Sequence, residues 1–344
     1  MPSSIIVTGG AGYIGSHTVI ELLEQTDYQI ISLDNYSNST PETYTRINQI
    51  TAKSSRLRFF DIDLCDYKKL ESVLENCGQI DGVIHFAAFK SVPESVEKPL
   101  LYYHNNMESL VNILQLCKNK NIKNIIFSSS CSVYGNIDRL PVTENSPLPK
   151  AESPYAHTKQ MGEQVVESFV KYSPGYKAVL LRYFNPAGAH PSAIIGELPL
   201  GAPSSLVPII TRTAAGLIKQ MSVHGSDYNT RDGSCIRDYI HVCDIADAHI
   251  KALQYLIQNK NKDKCSVFNL GTGNGVTVFE AIKSFEKVTG LHLNYHVGPR
   301  RAGDVEAIYA NNDFATQELG WKPKCDIDSM MLSAWKWQQH LSGK

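Results

Sequence analysis

A chain of 344 residues with 42% apolar and 19% charged side chains has the composition of an ordinary globular protein, and its length suggests about two domains. Its 33 basic and 34 acidic residues leave a formal net charge of -1, so no global positive field favours nucleic acid as a main partner. The sequence has no apolar run of about 18 residues and no basic segment before an apolar stretch at its start, which argues against a membrane span and a signal peptide.

The eight cysteines form no CxxC pair and no group with metal-ligand spacing. In a chain of this length, that pattern favours reduced thiols over a disulfide framework. The sequence therefore predicts a cytoplasmic protein without a metal site.

Short runs of β-branched residues alternate with segments of helical periodicity through the first half of the chain. This alternation predicts parallel strands joined by helices, and hence a doubly wound α/β sheet. The predicted strands cover residues 4–8, 29–34, 57–61, 82–86, 124–128 and 178–182, and the predicted helices cover residues 14–25, 67–77, 100–119 and 155–170.

The texture of the sequence changes after Asn185, where proline, glycine and serine become frequent and periodicity weakens. We therefore predict a Rossmann-type domain over residues 1–184 and a smaller mixed α/β domain over residues 185–344. This division leaves open that segments of the second half return to the first domain.

Gly9, Gly12 and Gly15 stand between the first predicted strand and the first predicted helix. Glycines here allow a tight turn, close approach of a pyrophosphate to the backbone and close packing of helix on strand, while the helix N-terminus offers free N–H groups. A GxxGxxG spacing alone is weak, but between a strand and a helix it predicts a dinucleotide site.

Asp34 ends the second predicted strand, about 20 residues beyond the glycines. An acidic side chain at this position can accept hydrogen bonds from both ribose hydroxyls and would repel a 2′-phosphate. The sequence thus predicts NAD rather than NADP as cofactor. The alternative is that Asp34-Asn35 simply forms a turn at the strand end.

Two more loops follow predicted strands, at the edge where such sheets bind ligands. Asp63 and Leu64 follow the third strand, and residues 86–90 follow the fourth. We predict that both loops line the nucleotide site, although Asp63 could equally be an ordinary helix N-cap.

Tyr155 and Lys159 lie four residues apart on a predicted helix and therefore share one face, downstream of a serine-rich strand end at 128–132. A nearby ammonium and a positive nicotinamide would stabilise the phenolate and lower the tyrosine pKa from ~10 toward neutrality. A tyrosine so placed can act as a base. Taken alone, such a pair is more often a solvated surface pair.

A resemblance to the extended short-chain dehydrogenase/reductase superfamily is carried by TGGAGYIG, YAHTK and the serine-rich strand end. It narrows to the UDP-galactose 4-epimerase family through FAAFKSV, PLLYYHNN, IIFSSSCSVYG, LLRYFNPAGAHPS, RDYIHVCDIADAH and RRAGDV, and it covers almost the whole chain. The resemblance implies a tightly held NAD, a UDP-hexose bound by the C-terminal domain, and transient oxidation at sugar C4 without net redox change.

The resemblance also implies roles for three residues. Tyr155 would remove the proton of the C4 hydroxyl, Ser130 would hydrogen-bond the reacting oxygen, and Lys159 would bind the nicotinamide ribose and favour the Tyr155 phenolate. The 4-keto sugar would then turn about its diphosphate and take the hydrogen back on the opposite face, so it must be held loosely without being released.

Contacts are implied by the same resemblance. The cofactor would meet Gly9, Gly12, Tyr13, Ile14, Gly15, Asp34, Asn35, Asn38, Ser39, Asp63, Leu64, Phe86, Ala87, Lys90, Asn105, Ser130, Tyr155, Lys159 and Phe184. The UDP-sugar would meet Lys90, Ser130, Tyr155, Asn185, Leu206, His224, Arg237, Arg301, Asp304 and Ile308. The two arginines suit a diphosphate because planar guanidinium groups bind oxygens in pairs.

Three features depart from the family pattern. Ser204-Ser205-Leu206 replaces Asn-Asn-Leu and shortens two polar side chains. His224 replaces the aromatic ring expected against uracil, so less apolar area is buried there. Ile308 replaces the tyrosine of strictly hexose-using members, which would admit N-acetylated sugars.

Two other functions compete with epimerisation. Sugar-nucleotide 4,6-dehydratases and UDP-glucuronate decarboxylases carry acidic groups where this chain has Cys131 and Ser132, and neither of these can act as a carboxylic acid. A catalytically silent NAD-binding sensor is disfavoured by the presence of Ser130, Tyr155 and Lys159. The resemblance further implies a homodimer through the helices at 100–119 and 155–170, although their apolar faces also fit plain core packing.

Overall fold

A computed structural model describes residues 3–301 and 304–343. Its strands, in chain order, are β1 (Ser4–Thr8), β2 (Gln29–Asp34), β3 (Leu57–Asp61), β4 (Ile80–His85), β5 (Asn124–Ser130), β6 (Lys177–Tyr183), β7 (Asn185–Ala187), β8 (Met221–His224), β9 (Ile236–His241), β10 (Cys265–Leu270), β11 (Gly275–Thr277), β12 (Tyr295–Gly298) and β13 (Ala307–Ile308).

The α-helices are α1 (Tyr13–Gln25), α2 (Glu42–Thr51), α3 (Tyr67–Val73), α4 (Val92–Glu97), α5 (Pro99–Asn119), α6 (Pro154–Tyr172), α7 (Leu206–Ala214), α8 (Val242–Ile257), α9 (Val278–Thr289), α10 (Asp313–Leu319) and α11 (Ile327–Leu341). Short 3₁₀ segments span Ser54–Arg56 and Cys131–Tyr134. Among the described residues, no helix has the length and apolarity that crossing a lipid bilayer requires.

The central sheet has seven parallel strands in the order β10-β6-β5-β4-β1-β2-β3, which confirms the predicted doubly wound class. The order reverses between β1 and β4, and a crevice forms where the loops leave these strands at their carboxyl ends. The candidate site described below occupies this edge.

Helices cover both faces of the sheet, which explains why its strands read as continuous apolar runs. Successive residues of β1 face opposite layers: Val7 packs in a cluster with residues of α1, α2 and α8, and Ile6 packs with residues of α3, α5 and α6. Both residues are fully buried. The first strand is therefore fixed by the two-sided burial that its continuous apolar run indicates.

The second half of the chain contributes to two regions. Strand β10 pairs with β6 from Cys265↔Ala178 to Leu270↔Tyr183, so it completes the seven-stranded sheet, and α8 packs on α1. The remaining strands β7, β9, β11 and β13 form a small mixed sheet beside helices α7, α9 and α11, while β8 and β12 pair separately. The mixed character of this region confirms the fold class expected for it.

Helix α3 is shorter than predicted. It ends at Val73, whereas the sequence pattern extends it to residue 77. After Val73 the amides of Leu74, Glu75 and Cys77 donate to carbonyls three residues earlier, so the last turn tightens and the α-helical ladder stops. The helix prediction was wrong over these four residues because apolar spacing does not reveal a change of hydrogen-bond pattern.

Candidate active site

A cleft of about 950 Å³ opens at the carboxyl edge of the sheet, near the upper end of the size range of small-molecule sites. It gathers every residue predicted to contact the cofactor: Gly9, Gly12, Tyr13, Ile14, Gly15, Asp34, Asn35, Asn38, Ser39, Asp63, Leu64, Phe86, Ala87, Lys90, Asn105, Ser130, Tyr155, Lys159 and Phe184. The contacts themselves stay predictions, but strand ends, loops and the helices α1, α5 and α6 all contribute residues to one cavity.

The glycine turn is shaped by close backbone approach. Gly9 has φ +68°, and a Cβ there would lie 2.9 Å from the Ala87 nitrogen. A Cβ at Gly15 would lie 2.1 Å from the Gly9 carbonyl oxygen, so only glycine lets α1 begin this close to β1. No side chain caps α1, whose N-cap is Gly12, so the amides of its first turn are available to an anionic group.

Asp34 is held at the end of β2 by three donors. Its carboxylate accepts hydrogen bonds from the Ala11 amide at 2.9 Å, the Tyr36 amide at 2.9 Å and the Ser39 hydroxyl at 2.8 Å. The carboxylate thus fastens the glycine turn to the loop after β2. Both the turn role and the ribose role predicted for this residue are compatible with that position, since Asp34 also lines the cleft.

Tyr155 and Lys159 project from the first turns of α6. Ser153 caps this helix by accepting from the Ala156 amide at 3.2 Å, and Pro154 occupies the first helical position. Lys159 Nζ donates to the Ser128 carbonyl at 2.7 Å, which ties the helix to the end of β5 beside Ser130. Local capping thus fixes the start of α6 and the placement of both side chains.

The pKa of Tyr155 in the protein alone is governed by burial. Burial raises it to about 12 and the nearby Cys131 acts in the same direction, while the hydrogen bond with Ser130 opposes them. The lowering toward neutrality was predicted for the complex with the positive nicotinamide, so it stays a prediction. Burial also lowers the pKa of Lys159 to about 8, with Glu163 acting in the opposite direction.

A buried ion pair supports α6 beneath the cleft. Arg182 of β6 donates to Glu163 of α6 through Nε at 2.8 Å and Nη2 at 2.6 Å. Glu163 also accepts from the Ser129 hydroxyl at 2.5 Å, and Arg182 Nη1 donates to the Tyr134 hydroxyl at 3.0 Å. All four side chains are buried, so the network locks the helix that carries Tyr155 onto strands β5 and β6.

The residues predicted to contact the sugar nucleotide divide into two groups. Lys90, Ser130, Tyr155 and Asn185 line the cleft, whereas Leu206, His224, Arg237, Arg301, Asp304 and Ile308 do not. This second group belongs to the smaller sheet, its neighbouring strand β8, helix α7 and the loop before β13. The structure therefore does not bring the whole predicted set into one cavity.

Both arginines of the second group approach the same carboxylate, that of Asp304. Asp304 Oδ1 lies 2.7 Å from Arg301 Nη2 and 3.9 Å from Arg237 Nη2. Ile308 pairs in register with Arg237 and is buried among Val133, Tyr134 and other apolar side chains. An incoming diphosphate would have to compete with the Asp304 carboxylate for both guanidinium groups.

Leu206 and His224 lie further along the same region. Leu206 begins α7 and is partly buried in the apolar core of the smaller layer, and His224 ends β8 with an exposed ring. The two serines before Leu206 do line the cleft, and the Ser205 hydroxyl lies 3.4 Å from Glu197. The segment that departs from the family pattern is thus the part of this loop nearest to the cavity.

Glu197 and Tyr183 are among the cleft residues that sequence reasoning missed. Glu197 pairs with Lys90 at 3.2 Å, and its carbonyl accepts from the Trp337 indole at 2.9 Å. It lies in the aperiodic segment after residue 185, where spacing gives no signal. Tyr183 shares a hydrogen bond with the Ser128 hydroxyl, and its position at the carboxyl end of β6 could have marked it.

Comparison with known proteins places the chain among nucleotide-sugar enzymes. The profile of the GDP-mannose 4,6 dehydratase family matches residues 6–333. UDP-glucose 4-epimerase 2 of Arabidopsis thaliana is 45% identical over 98% of this chain and 95% of its own length. Sequence similarity therefore extends through both halves.

Solved structures show the same fold at similar identity. UDP-glucose-4-epimerase from Stenotrophomonas maltophila, bound to NAD and formylated UDP-arabinopyranose, superposes with a TM-score of 0.94 at 40% identity and covers 99% of each chain. UDP-glucose 4-epimerase from Bifidobacterium longum, in complex with NAD+ and UDP, gives a TM-score of 0.93 at 44% identity over 98% of each chain.

Proposed function

The chain belongs to the UDP-glucose 4-epimerase family of the extended short-chain dehydrogenase/reductase superfamily, and we propose that it interconverts UDP-galactose and UDP-glucose with a tightly held NAD. The observation that carries this proposal is the convergence of Ser130, Tyr155 and Lys159 with the glycine turn in one cleft. A base, a polar partner for the reacting oxygen and a dinucleotide cradle are then available together.

The site fits a dinucleotide on features of the protein itself. The glycine turn leaves no room for side chains, the first amides of α1 are uncapped, and Asp34 presents a carboxylate at the end of β2. When bound, NAD+ supplies the acceptor for the hydrogen at sugar C4 and a positive charge beside Tyr155. That charge would oppose the effect of burial on the Tyr155 pKa.

The residues of the chain then perform the proton chemistry. Tyr155 takes the proton of the C4 hydroxyl, Ser130 hydrogen-bonds the same oxygen, and the Lys159 ammonium favours the phenolate. Oxidation gives a transient 4-keto sugar, which must turn over before C4 is reduced on its opposite face. Arg237 and Arg301 would retain the diphosphate during this rotation.

Conversion without added cofactor is the experiment that tests this function. Purified protein is incubated with UDP-galactose alone, and the nucleotide sugars are separated by chromatography. Appearance of UDP-glucose supports the proposal. A 4-keto-6-deoxy product would instead indicate a dehydratase, and unchanged UDP-galactose in protein that still contains NAD would indicate a non-catalytic binding protein.

Asp34→Ala should weaken retention of NAD and relax discrimination against NADP, because it removes both the ribose acceptor and the charge that repels a 2′-phosphate. The affinities of the stripped protein for NAD and NADP can be measured by calorimetry. At saturating NAD, turnover should survive. Unchanged affinity for NAD would show that the carboxylate serves only the turn.

Asp61→Ala provides the matched control for Asp34. Asp61 pairs in register with Asp34 on the neighbouring strand, carries the same charge and is exposed outside the cleft lining. Its removal should leave the ratio of the two affinities unchanged. A general loss of negative charge would instead move both variants alike.

Ile308→Tyr tests whether this residue limits the size of the sugar. We propose that the isoleucine admits the acetamido group of UDP-GlcNAc, and a ring introduced there should lower that activity at least tenfold while largely sparing UDP-glucose, since a methyl-sized change is worth ~1 to 3 kcal/mol. Initial rates with both substrates give the comparison.

The burial of Ile308 makes the alternative explicit. It packs in a cluster with Val133, Phe184 and Ala310, so a tyrosine could disturb packing rather than the sugar pocket. A parallel fall of both activities, or a parent protein inactive on UDP-GlcNAc, would identify Ile308 as a packing residue only.

We also propose that the protein is a cytoplasmic homodimer. All eight cysteines are free thiols, which suits a reducing compartment. Helix α5 packs beside α6 and exposes the apolar side chains of Leu100, Leu101 and Val111. A second copy of the chain would cover these side chains. Sedimentation equilibrium of the purified protein decides the oligomeric state.

A further inference from the structure

Cys65, His104 and Glu108 form a cluster that is separate from the catalytic trio of Ser130, Tyr155 and Lys159. Their ligand atoms, a thiol sulfur, an imidazole nitrogen and a carboxylate oxygen, all lie within 4.8 Å of one another. Cys65 belongs to the loop after β3, while His104 and Glu108 stand one turn apart on α5 and contact each other at 2.8 Å. Cys65 and His104 are 39 positions apart in the sequence, so no spacing motif predicts the group.

The loop that carries the cysteine is anchored to the helix by its backbone. Asn112 Nδ2 on α5 donates to the Leu64 carbonyl at 2.8 Å and to the Cys65 carbonyl at 3.3 Å. The Asp63 carboxylate accepts from the Cys65 amide at 2.9 Å and shapes the turn. The backbone of the loop is therefore fixed against α5, and the Cys65 thiol itself donates to the Asn105 carbonyl of α5 at 3.9 Å.

We propose that Cys65, His104 and Glu108 bind a zinc-like divalent transition-metal ion. Sulfur and imidazole donors select such ions over magnesium and calcium, which take oxygen ligands. Ligand atoms around tetrahedral zinc lie roughly 3.5 Å apart at bond lengths of about 2.0–2.3 Å, so small side-chain rotations close the group on an ion. Three protein ligands leave a fourth position, which in the proposed homodimer faces the second copy, because His104 and Glu108 share the face of α5 that carries Leu100 and Val111.

The electrostatic surroundings favour a cation. The carboxylates of Asp63 and Glu108 both lie beside Cys65, Asp63 at its backbone amide and Glu108 at its thiol. The same two carboxylates attract a divalent ion.

A metal ion there would tie two walls of the cleft together. Asp63 and Leu64 directly precede Cys65, and Asn105 directly follows His104. All three line the cleft, and none of them belongs to the catalytic trio. An ion coordinated by Cys65 and His104 would thus fix the loop after β3 against α5. We expect zinc to raise the melting temperature of the protein.

Cobalt absorption is the direct test. The purified holoenzyme is treated with chelator, freed of it, reduced with a phosphine and titrated with Co²⁺ while the near-ultraviolet thiolate-to-cobalt charge-transfer band is recorded. We expect one equivalent to bind and zinc to displace it. Cys65→Ser should abolish the band, and His104→Ala and Glu108→Gln should each weaken binding by at least the ~10- to 100-fold that loss of an outer-shell partner costs.

Two control variants come from elsewhere in the chain. Cys325→Ser removes another partly exposed thiol, and His292→Ala breaks an exposed histidine–carboxylate contact with Glu286 at 3.6 Å. Both should leave the band and the affinity unchanged. Circular dichroism verifies that every variant is folded. Persistence of the band in Cys65→Ser, absence of any band in the parent, or an equal loss in His292→Ala would overturn the proposal.

Discussion

Tyr155→Phe is expected to lower the turnover of UDP-galactose by roughly 10²- to 10⁴-fold, the usual contribution of a positioned general base. The variant loses only the phenolic oxygen, and the ring stays buried in the first turn of α6, where Ser153 still caps the helix. Fold and NAD content should therefore match the parent. Single-turnover assays and the cofactor absorbance of purified protein give both measurements.

Tyr172→Phe is the matched control for this substitution. It removes the same atom from the same helix, at a ring that is 75% exposed and lies at the far end of α6. Its turnover should equal that of the parent. Near-native turnover in Tyr155→Phe would exclude this residue as the base, whatever the control shows.

Arg182→Met should destabilise the protein by about 3–5 kcal/mol, because it leaves the Glu163 carboxylate buried without its charged partner. Methionine restores much of the volume, so the loss reports the charge rather than a cavity. Urea unfolding with NAD bound at saturating concentration measures the free energy. A loss below about 1 kcal/mol would mean that the pair does not hold α6 on the sheet.

Arg231→Met separates burial from hydrogen-bond geometry. Arg231 also grips a carboxylate with two guanidinium nitrogens, donating to Glu280 through Nε at 2.6 Å and through Nη2, but this pair is exposed. Exposed pairs contribute ~0–1 kcal/mol. The two variants should therefore differ by several kcal/mol although they break the same kind of contact.

Local sequence sufficed where structure is local or burial is two-sided. The adjacent apolar residues Ile6 and Val7 predict a strand that is buried on both faces. Gly9 and Gly15 predict the turn that follows, because a Cβ there would collide with backbone atoms. Tyr155 and Lys159 could be placed on one helix face from their spacing alone. The first half of the fold and the placement of Tyr155 and Lys159 could therefore be predicted from the sequence.

Features that depend on distant partners could not be predicted. Cys265 begins a strand that pairs with Ala178, and no property of either segment selects the other. The Asp304 carboxylate engages Arg301 and approaches Arg237, so the arginines of the predicted diphosphate site face a competitor that spacing did not reveal. The Tyr155 pKa likewise depends on burial in three dimensions, which residue spacing does not give.

Isotope tracing tests most directly whether the hydrogen removed from sugar C4 returns to the same carbon. UDP-galactose carrying deuterium at C4 is incubated with the purified holoenzyme in ordinary water, without added cofactor, and the UDP-glucose formed is analysed by mass spectrometry and proton NMR. We expect full retention of deuterium at C4, because the hydrogen removed from this carbon returns to it before the sugar leaves the site. Loss of the label to solvent, its appearance at another carbon, or failure to form UDP-glucose would contradict it.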